Sequence, residues 1–275
     1  REDGAKLSTI LMNVTLPCSI LASAAPLSFS FDLLFPFFMG IIGNLLLEGI
    51  GYHFEESKNP FRRGIALIQN SGFNIGTFVI PFVIAFFPSR YMMTVLLFDT
   101  GNSIMCIRGN YLIAERIIKG KQQQSVRMIF KKIFASIPLL TYLLTLLLSL
   151  LQIQIPQLFL NIASIAGNAN PFIAMLMIGV LVDFHIEKCA IRLLVKRLLQ
   201  RFILMGLLAG IVYATFPISL LSRQMLVLCL LAPISTLGPV YALQLGSDRS
   251  ESANLNSLSI FVSMILLTVL SMCFV

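Results

Sequence analysis

Residues 69–81 read QNSGFNIGTFVIP and interrupt a charge-free apolar run that extends from Gly64 to Ser89. The run is long enough to cross a bilayer, which takes roughly 20 apolar residues. Glycine, asparagine and proline disfavour a continuous helix, and unwound backbone at membrane depth is tolerated only where it lines a protected or polar cavity. The stretch therefore predicts a membrane-spanning helix that is broken near its middle, as in the discontinuous helices of transporters.

The next apolar segment carries Asp99 and Asn102 inside a predicted span that begins at Tyr91. At 1.5 Å per residue, Asp99 lies about 12 Å from the start of that span. An ionisable group at this depth is costly and is by default a functional candidate. Asp99 either takes up a proton or a sodium ion, or positions a substrate through water, or caps one of the broken half-helices, and the sequence leaves these alternatives open.

The composition identifies an integral membrane protein of the cell membrane, with the lipid bilayer as its partner. The 275 residues are 57% hydrophobic and 12% charged, against about 25% charged residues in soluble domains. A water-soluble fold of this composition would lack a polar shell. The net charge of +8 falls in short loops between spans, where it sets helix orientation, so we expect no nucleic-acid partner.

Charge-free stretches predict an all-α protein with nine spans, and Leu158–Ile165 is expected to lie at the interface. Two basic loops separate some of the spans, residues 115–132 and 185–201. Glu48 and His53 are expected to be solvated at cytoplasmic span ends, and Arg108 is expected to reach the cytoplasmic surface. The predicted spans are Leu7–Ala25, Phe31–Tyr52, Gly64–Phe87, Tyr91–Ala114, Ile133–Ile153, Asn170–Val182, Phe202–Phe216, Met225–Leu245 and Leu255–Val275.

Lysine and arginine are segregated between the two sides that these spans define. One side receives seventeen of the twenty basic residues, the other receives two, and Arg108 lies within a span. Basic residues are enriched in cytoplasmic loops. We therefore expect the basic loops to be cytoplasmic and the C-terminus to lie outside.

Proline spacing predicts an internal repeat. Pro17 corresponds to Pro171, and Pro81 corresponds to Pro239. The second half contains five spans and the first contains four, so we expect a missing helix before residue 1 that matches Ile133–Ile153. Five is an odd number, which would make the halves inverted. The predicted division is a first repeat at 1–118, a cytoplasmic basic loop at 119–132 and a second repeat at 133–275.

Several motifs, taken in order, resemble the auxin efflux carrier family, which includes plant PIN auxin carriers and bacterial malate-type permeases. The resemblance covers the chain except for the family's first helix. The chain departs from the commoner family pattern of a glycine next to the proline, because Pro81 stands late in its motif. The motifs are Gly72 to Pro81, Phe98 to Asn102, Asn170-Pro171-Phe172 leading to Ile178-Gly179, and Pro233 to Pro239 before Gly246-Ser247-Asp248.

The resemblance implies ten helices in two inverted five-helix repeats, nine of them in this chain. The family's two broken helices, which cross at the bilayer midplane, map onto Gly64–Phe87 and Met225–Leu245. Its scaffold maps onto Leu7–Ala25, Ile133–Ile153 and Asn170–Val182, and a homodimer through the scaffold is possible. The identity of the substrate is not carried over.

Two helices broken at the same depth would expose four half-helix ends. The N-terminal ends carry about half a positive charge and free N–H groups, so they bind anions without a basic residue. The alternative is that both spans are proline-kinked structural helices, and Asn254 and Asn256 each line the cavity or make an inter-helix hydrogen bond. The candidate substrate-binding residues are Asn74, Gly76, Pro81, Asp99, Asn102, Pro233, Ser235, Thr236, Pro239, Asn254 and Asn256.

The predicted function is secondary transport of small organic anions, such as carboxylates, by alternating access. The alternative is a sodium- or proton-coupled symporter resembling the bile acid symporters. No cofactor is expected apart from a coupling Na⁺ or H⁺. An enzyme is not expected, because the two histidines, His53 and His185, lie outside the predicted membrane core and no intramembrane protease motif is present.

Overall fold

The structure is a computed structural model. It describes residues 7, 9–23, 34–87, 91–120, 137–170, 172, 173, 176, 188–247 and 249–274. All regular secondary structure in these ranges is helical. Parts of the predictions lie outside the described residues, namely most of the span Asn170–Val182, nearly all of the loop at 119–132, and Pro171, Ile178, Gly179 and Asp248 of the family motifs.

Twelve α-helices are numbered here in chain order, and three π-helical turns accompany them. The π turns are Leu11–Thr15 before α1, Ile75–Val79 before α4 and Met105–Gly109 between α5 and α6. The helices are α1 (Leu16–Ser23), α2 (Leu34–His53), α3 (Pro60–Asn70), α4 (Ile80–Phe86), α5 (Met92–Ile104), α6 (Asn110–Lys119), α7 (Ile137–Leu150), α8 (Gln157–Gly167), α9 (Lys188–Thr215), α10 (Leu220–Leu230), α11 (Leu237–Gln244) and α12 (Arg249–Phe274).

Three of the described helices are long and apolar enough to cross a membrane. They are Leu34–His53, Ile191–Thr215 within α9, and Glu251–Phe274 within α12. Their outward faces carry exposed leucine, isoleucine, phenylalanine and methionine side chains. Such faces are stable in hydrocarbon, so the described part of the chain has the character of a membrane protein.

The helix predicted for Gly64–Phe87 is interrupted in the structure. α3 ends at Asn70, residues 71–74 are not helical, and the chain resumes as the π turn Ile75–Val79 followed by α4. Gly72 has a φ of +84°, which glycine adopts at little cost. The break lies earlier than predicted, because Pro81 is the second residue of α4 and a proline is compatible with the first helical turn.

The helix predicted for Met225–Leu245 is interrupted as well. α10 ends at Leu230, and α11 begins at Leu237. α3 packs against α11, and α10 packs against the π turn that follows the first break. The first half of each interrupted helix therefore lies beside the second half of the other.

Helices α2 and α5 approach each other closely beside the first break. A Cβ atom on Gly40 would overlap the carbonyl oxygen of Phe98, and one on Gly101 would overlap that of Phe37. Only glycine permits such an approach of two helix backbones. The contact fixes the relative positions of the polar side chains that follow on both helices.

Helices α7 and α8 both pack against α1. Gly167 of α8 lies against the backbone of Ser19 in α1, where an added Cβ would be 2.8 Å from the Ser19 nitrogen. Thr15 donates to Asn170 Oδ1 at 3.0 Å, and Asn170 Nδ2 donates to the Gly76 carbonyl at 3.4 Å. Asn170 thus links this helix group to the first interrupted helix.

The structure corrects the predicted loop at 185–201, because residues 188–201 form the first half of α9. Arginine, lysine and leucine are good helix formers, and Arg197 and Arg201 point inward, where they are 4% and 0% exposed. The hydropathy pattern grouped these charges with the solvated loops. Their partners come from distant parts of the chain, namely Glu55 and Glu251 for Arg197 and backbone carbonyls at both breaks for Arg201, which a local pattern cannot show.

Other helix limits and environments also differ from the predictions. α12 begins at Arg249, so Asn254 and Asn256 lie inside the helix rather than at or before its start. α5, the π turn and α6 continue helically to Lys119. The Arg108 guanidinium lies over the ring of Tyr111 at 4.6 Å, and its extension to the cytoplasmic surface stays a prediction.

Candidate functional site

The two breaks touch each other. The Asn74 backbone nitrogen donates to the Pro233 carbonyl at 2.9 Å. An added Cβ on Gly72 would be 2.6 Å from Ser235 Cβ. Since Asn74 lies in the first break and Pro233 and Ser235 in the second, the unwound segments form one continuous buried polar region.

Amides from two helices hold the first break in its unwound form. Asn44 Oδ1 of α2 accepts from the Gly72 backbone nitrogen at 2.9 Å. Asn102 of α5 binds both peptide groups of Phe73, accepting from its nitrogen at 3.1 Å and donating to its carbonyl at 2.9 Å. Side-chain amides thereby replace the hydrogen bonds that a continuous helix would have made.

Asn102 is fully engaged by protein groups. Besides Phe73, its Nδ2 donates to Asp99 Oδ1 at 2.9 Å, and its Oδ1 accepts from Asn44 Nδ2 at 3.1 Å. A primary amide has two donor hydrogens and two acceptor lone pairs, so its capacity is used. Asn102 therefore positions the break in this conformation, and Asp99 is bound to the same amide.

Helix α12 holds the second break in a similar way. Asn256 Nδ2 donates to the carbonyls of Ile234 and Ser235 at 2.9 and 3.2 Å. Ser259 Oγ accepts from the Ile234 nitrogen at 3.0 Å. Asn102 and Asn256 thus occupy comparable places, because each lies on the next long helix after its break and binds the peptide groups of that break.

Arg201 is the central charged group of the site, and it was not among the predicted residues. Its guanidinium donates to the Asn70 carbonyl, and its Nη2 lies 2.8 Å from the Gly72 carbonyl oxygen. The same Nη2 lies 3.3 and 3.4 Å from the carbonyl oxygens of Ala232 and Pro233. One side chain therefore binds the C-terminal ends of the first halves of both interrupted helices.

A second buried carboxyl, Glu48 of α2, lies next to this cluster. It is 4% exposed, so the expectation of a solvated side chain is wrong. Its position five residues before the helix end turns it toward α3 and α6 rather than toward water. With the Asn110 amide oriented by its hydrogen-bond partners, the amide nitrogen donates to Glu48 Oε1 at 2.9 Å.

Several of the predicted residues lie at the start of α11, on the C-terminal side of the second break. Thr236 directly precedes α11 and is partly exposed, and Pro239 is in the first turn of α11. Ser235 Oγ accepts from the Leu237 nitrogen at 3.3 Å. Asn254 is buried, and its side chain makes no hydrogen bond to another described residue. These groups have unused hydrogen-bonding capacity.

The eleven predicted residues therefore divide into two groups. The backbone or side chains of several hold the breaks themselves, while the others border the N-terminal ends of the second halves. The first group contains Asn74, Asp99, Asn102, Pro233 and Asn256, and the second contains Gly76, Pro81, Ser235, Thr236, Pro239 and Asn254.

An ion cluster lies one helical turn from Arg201. Arg197 binds Glu251 Oε1 and Glu55 Oε2, each at 2.7 Å, and also donates to Gln69. A pocket of about 330 Å³, which includes open solvent, extends from this cluster to Asn70 at the first break. The buried Asn70 Oδ1 has no hydrogen-bond partner among the described residues.

No protein-family model matches this chain. No curated protein matches it significantly either. The resemblance to the auxin efflux carrier family therefore rests on the motifs alone. Within the described residues, no group of three or more His, Cys, Asp and Glu side chains is placed to hold a metal ion.

The sequence contained signals for the residues that were missed. Asn44 is the one amide in the apolar run between Phe31 and Leu47, and it follows two glycines, Gly40 and Gly43. A polar side chain beside small residues in a span is typical of a helix contact. Arg201 stands four residues after Arg197 at the edge of an apolar run, so it could have been placed on the same helix face.

Proposed function

We propose that this protein is a membrane carrier for small organic anions, and that the anion binds where the two interrupted helices meet. The observation that carries the proposal is the contact between the two breaks. Each sits after a first half of 11 residues, which is about 16 Å of helix, or half of a hydrocarbon core of about 30 Å. Two such breaks in contact fit a site at mid-membrane depth.

The charge distribution at the breaks supports binding of an anion. The C-terminal ends of α3 and α10 carry partial negative charge, and Arg201 binds their carbonyls. The N-terminal ends of the second halves carry partial positive charge, and no described basic side chain is required for their effect. A carboxylate at Ser235 and Thr236 would meet the Thr236 hydroxyl and the positive end of the α11 dipole.

The surroundings of these donors favour an organic anion over a bare inorganic one. Phe78 is 7% exposed and Tyr241 is 9% exposed, and both lie in the elements that follow the breaks. Apolar side chains around a few polar groups are the usual composition of small-molecule sites. We therefore propose a substrate with a carboxylate and an apolar body.

Coupling to protons is the second candidate. Glu48 is buried, and no salt bridge joins it to a basic side chain in the described ranges. A buried carboxylate is costly unless it is paired or takes up a proton. Protonation of one carboxyl would also remove a negative charge near the anion, so we propose that substrate and proton are carried together.

The test is uptake of labelled monocarboxylates and dicarboxylates by proteoliposomes that contain the purified protein. Thr236→Val removes one hydroxyl at the start of α11, and we expect a rise in KM of about tenfold, as for loss of a hydrogen bond to a charged group. Thr268→Val is the matched control, because Thr268 is exposed on α12 and bonds only its own helix. Equal kinetics for the two variants would exclude Thr236 from the site.

Proton coupling is tested in the same vesicles with an imposed pH gradient. We expect uptake to respond to the gradient in the unmodified protein and to lose that response in Glu48→Gln. A response that survives in Glu48→Gln and disappears in Asp99→Asn would assign the proton to the other carboxyl. Uptake that ignores the gradient in all three proteins rejects coupling, and failure of every tested acid to bind or cross rejects the carrier.

The membrane orientation and assembly remain part of the proposal. The basic side is taken as cytoplasmic, since it holds seventeen of twenty lysines and arginines. We further propose two inverted repeats and a homodimer formed through the α1, α7 and α8 group. Cysteine accessibility from each side of intact cells would test the orientation, and light scattering of the detergent-solubilised protein would test the dimer.

A further inference from the structure

The strongest unassigned feature is the buried Arg201 guanidinium. It is fully buried, and four backbone carbonyls surround it, those of Asn70, Gly72, Ala232 and Pro233. Its central carbon also lies 5.1 Å from the centre of the Phe73 ring. This is a built site for a positive charge, and the charge comes from a third helix, α9.

The carbonyls at this position would otherwise require a cation. The last carbonyls of a helix have no partner within the helix, and the helix end carries about half a negative charge. Two such ends converge here. Unwound carbonyls and half-helix C-terminal ends are the ligands that carriers with broken helices provide for Na⁺, and hard cations prefer such oxygen ligands.

We infer that the Arg201 guanidinium fills the place of a coupling cation at the meeting of the two breaks, so that this site neither binds nor requires Na⁺. The arginine supplies the positive charge permanently and holds both first halves together. The inference rests on the proposed function where it concerns transport. Its structural part, that the carbonyl site is occupied by the protein itself, does not depend on any substrate.

The position of Arg201 agrees with this role. It binds the carbonyl of Asn70, the last of the 11 residues of α3, so it lies about 16 Å along that helix and near mid-membrane depth. An arginine at that depth is costly unless protein groups solvate it. Backbone carbonyls from both interrupted helices provide that solvation, and the stack on Phe73 adds a cation–π contact.

The experiment measures the thermal unfolding midpoint of the purified protein in NaCl, KCl and choline chloride at equal ionic strength. We expect the same midpoint in all three salts. A Na⁺ site with a dissociation constant near 5 mM would raise the midpoint by about 5 °C at 500 mM Na⁺. A saturable rise that is specific to Na⁺ in the unmodified protein would overturn the inference.

Arg201→Ala removes the cation and leaves the buried carbonyls of Asn70, Gly72 and Ala232 without the guanidinium donors. We expect its midpoint to fall by about 5–10 °C and to recover partly with about 10 mM methylguanidinium, which restores the missing group. Arg223→Ala is the matched control, because Arg223 binds a single carbonyl, that of Tyr213, away from the breaks. No recovery in Arg201→Ala, or equal recovery in the control, would contradict the cation role.

If Arg201→Ala does not fold, Arg201→Lys takes its place. Its ammonium keeps the charge but reaches fewer carbonyls, so we expect an intermediate midpoint with no dependence on Na⁺. A midpoint of Arg201→Lys that rises with Na⁺ would mean that the carbonyls prefer the free ion. These outcomes require no substrate, so failure of organic anion transport would reject the proposed function and leave this inference standing.

Discussion

Replacement of Gly72 by alanine tests whether the two breaks press on each other as described. The residue has a φ of +84°, and a left-handed conformation costs an L-residue about 1–2 kcal/mol. Its new Cβ would lie 2.6 Å from Ser235 Cβ, and overpacking of this kind adds about 1–3 kcal/mol. The sum is about 2–5 kcal/mol, which corresponds to a fall of roughly 4–10 °C in the unfolding midpoint.

Gly246 provides the matched control for the backbone term. Its φ is +94°, and an added Cβ would meet only Phe61 at 3.8 Å, which is ordinary contact. Gly246→Ala should therefore show the conformational cost alone. The difference between the two variants, measured by thermal unfolding in one detergent, isolates the contact with Ser235.

The double variant Gly72→Ala with Ser235→Gly completes the test. Removal of the Ser235 side chain gives the new methyl group space, so the double variant should recover about 1–3 kcal/mol relative to additivity. The reasoning is refuted if Gly72→Ala and Gly246→Ala lower the midpoint equally and the double variant shows no coupling. The two breaks would then not be in contact at this point.

The remaining predictions concern the hydrogen bonds and ion pairs around the breaks. Asn256→Leu leaves the Ile234 carbonyl without a donor and the Ser235 carbonyl with only the Gly238 nitrogen, and unfolding should show a loss of about 1–3 kcal/mol. Arg197→Gln leaves Glu55 without its ion-pair partner and Glu251 with only Arg62 at 3.9 Å, and it should cost about 3–5 kcal/mol. Lys196→Gln breaks an exposed pair and should cost much less; equal losses would contradict the burial of Arg197. The hydrogen bond and charge of Lys196 lower the pKa of the Glu56 carboxyl. The pair therefore stabilises the folded protein above the ordinary glutamate pKa of 4.5, and this stabilisation is lost as the pH falls through the lower folded value. Measurement of the unfolding midpoint against pH in the unmodified protein and in Lys196→Gln would verify this.

The interruptions could be predicted because their cause is local. Glycine, asparagine and proline within an apolar run disfavour a helix wherever they occur, and residues 69–81 and 232–239 contain them in quantity. The exact limits could not be predicted. Pro81 is the second residue of α4 rather than part of the break, because the π turn Ile75–Val79 stands between the two.

Arg201 and Glu48 could not be placed from the sequence, because their environment is made by distant parts of the chain. The carbonyl partners of Arg201 lie up to 131 residues earlier. A local hydropathy pattern treats every arginine as solvated. It cannot show that carbonyl groups at two helix ends take the place of water around this guanidinium. The positive charge of Arg201, which the sequence pattern assigned to a cytoplasmic loop, is part of the buried site.

The glycine contact between α2 and α5 also determines the hydrogen bond between the amides of Asn44 and Asn102. Gly40 stands one turn before Asn44, and Gly101 is the neighbour of Asn102, and these two amides bond each other at 3.1 Å. A methyl group at either glycine would force the helix axes apart, and a hydrogen bond of that length does not survive a separation of even one ångström. Gly40 and Gly101 thus set the distance between the Asn44 and Asn102 amides. Substitution of either glycine would change the conformation of the first break, although neither glycine lies in it.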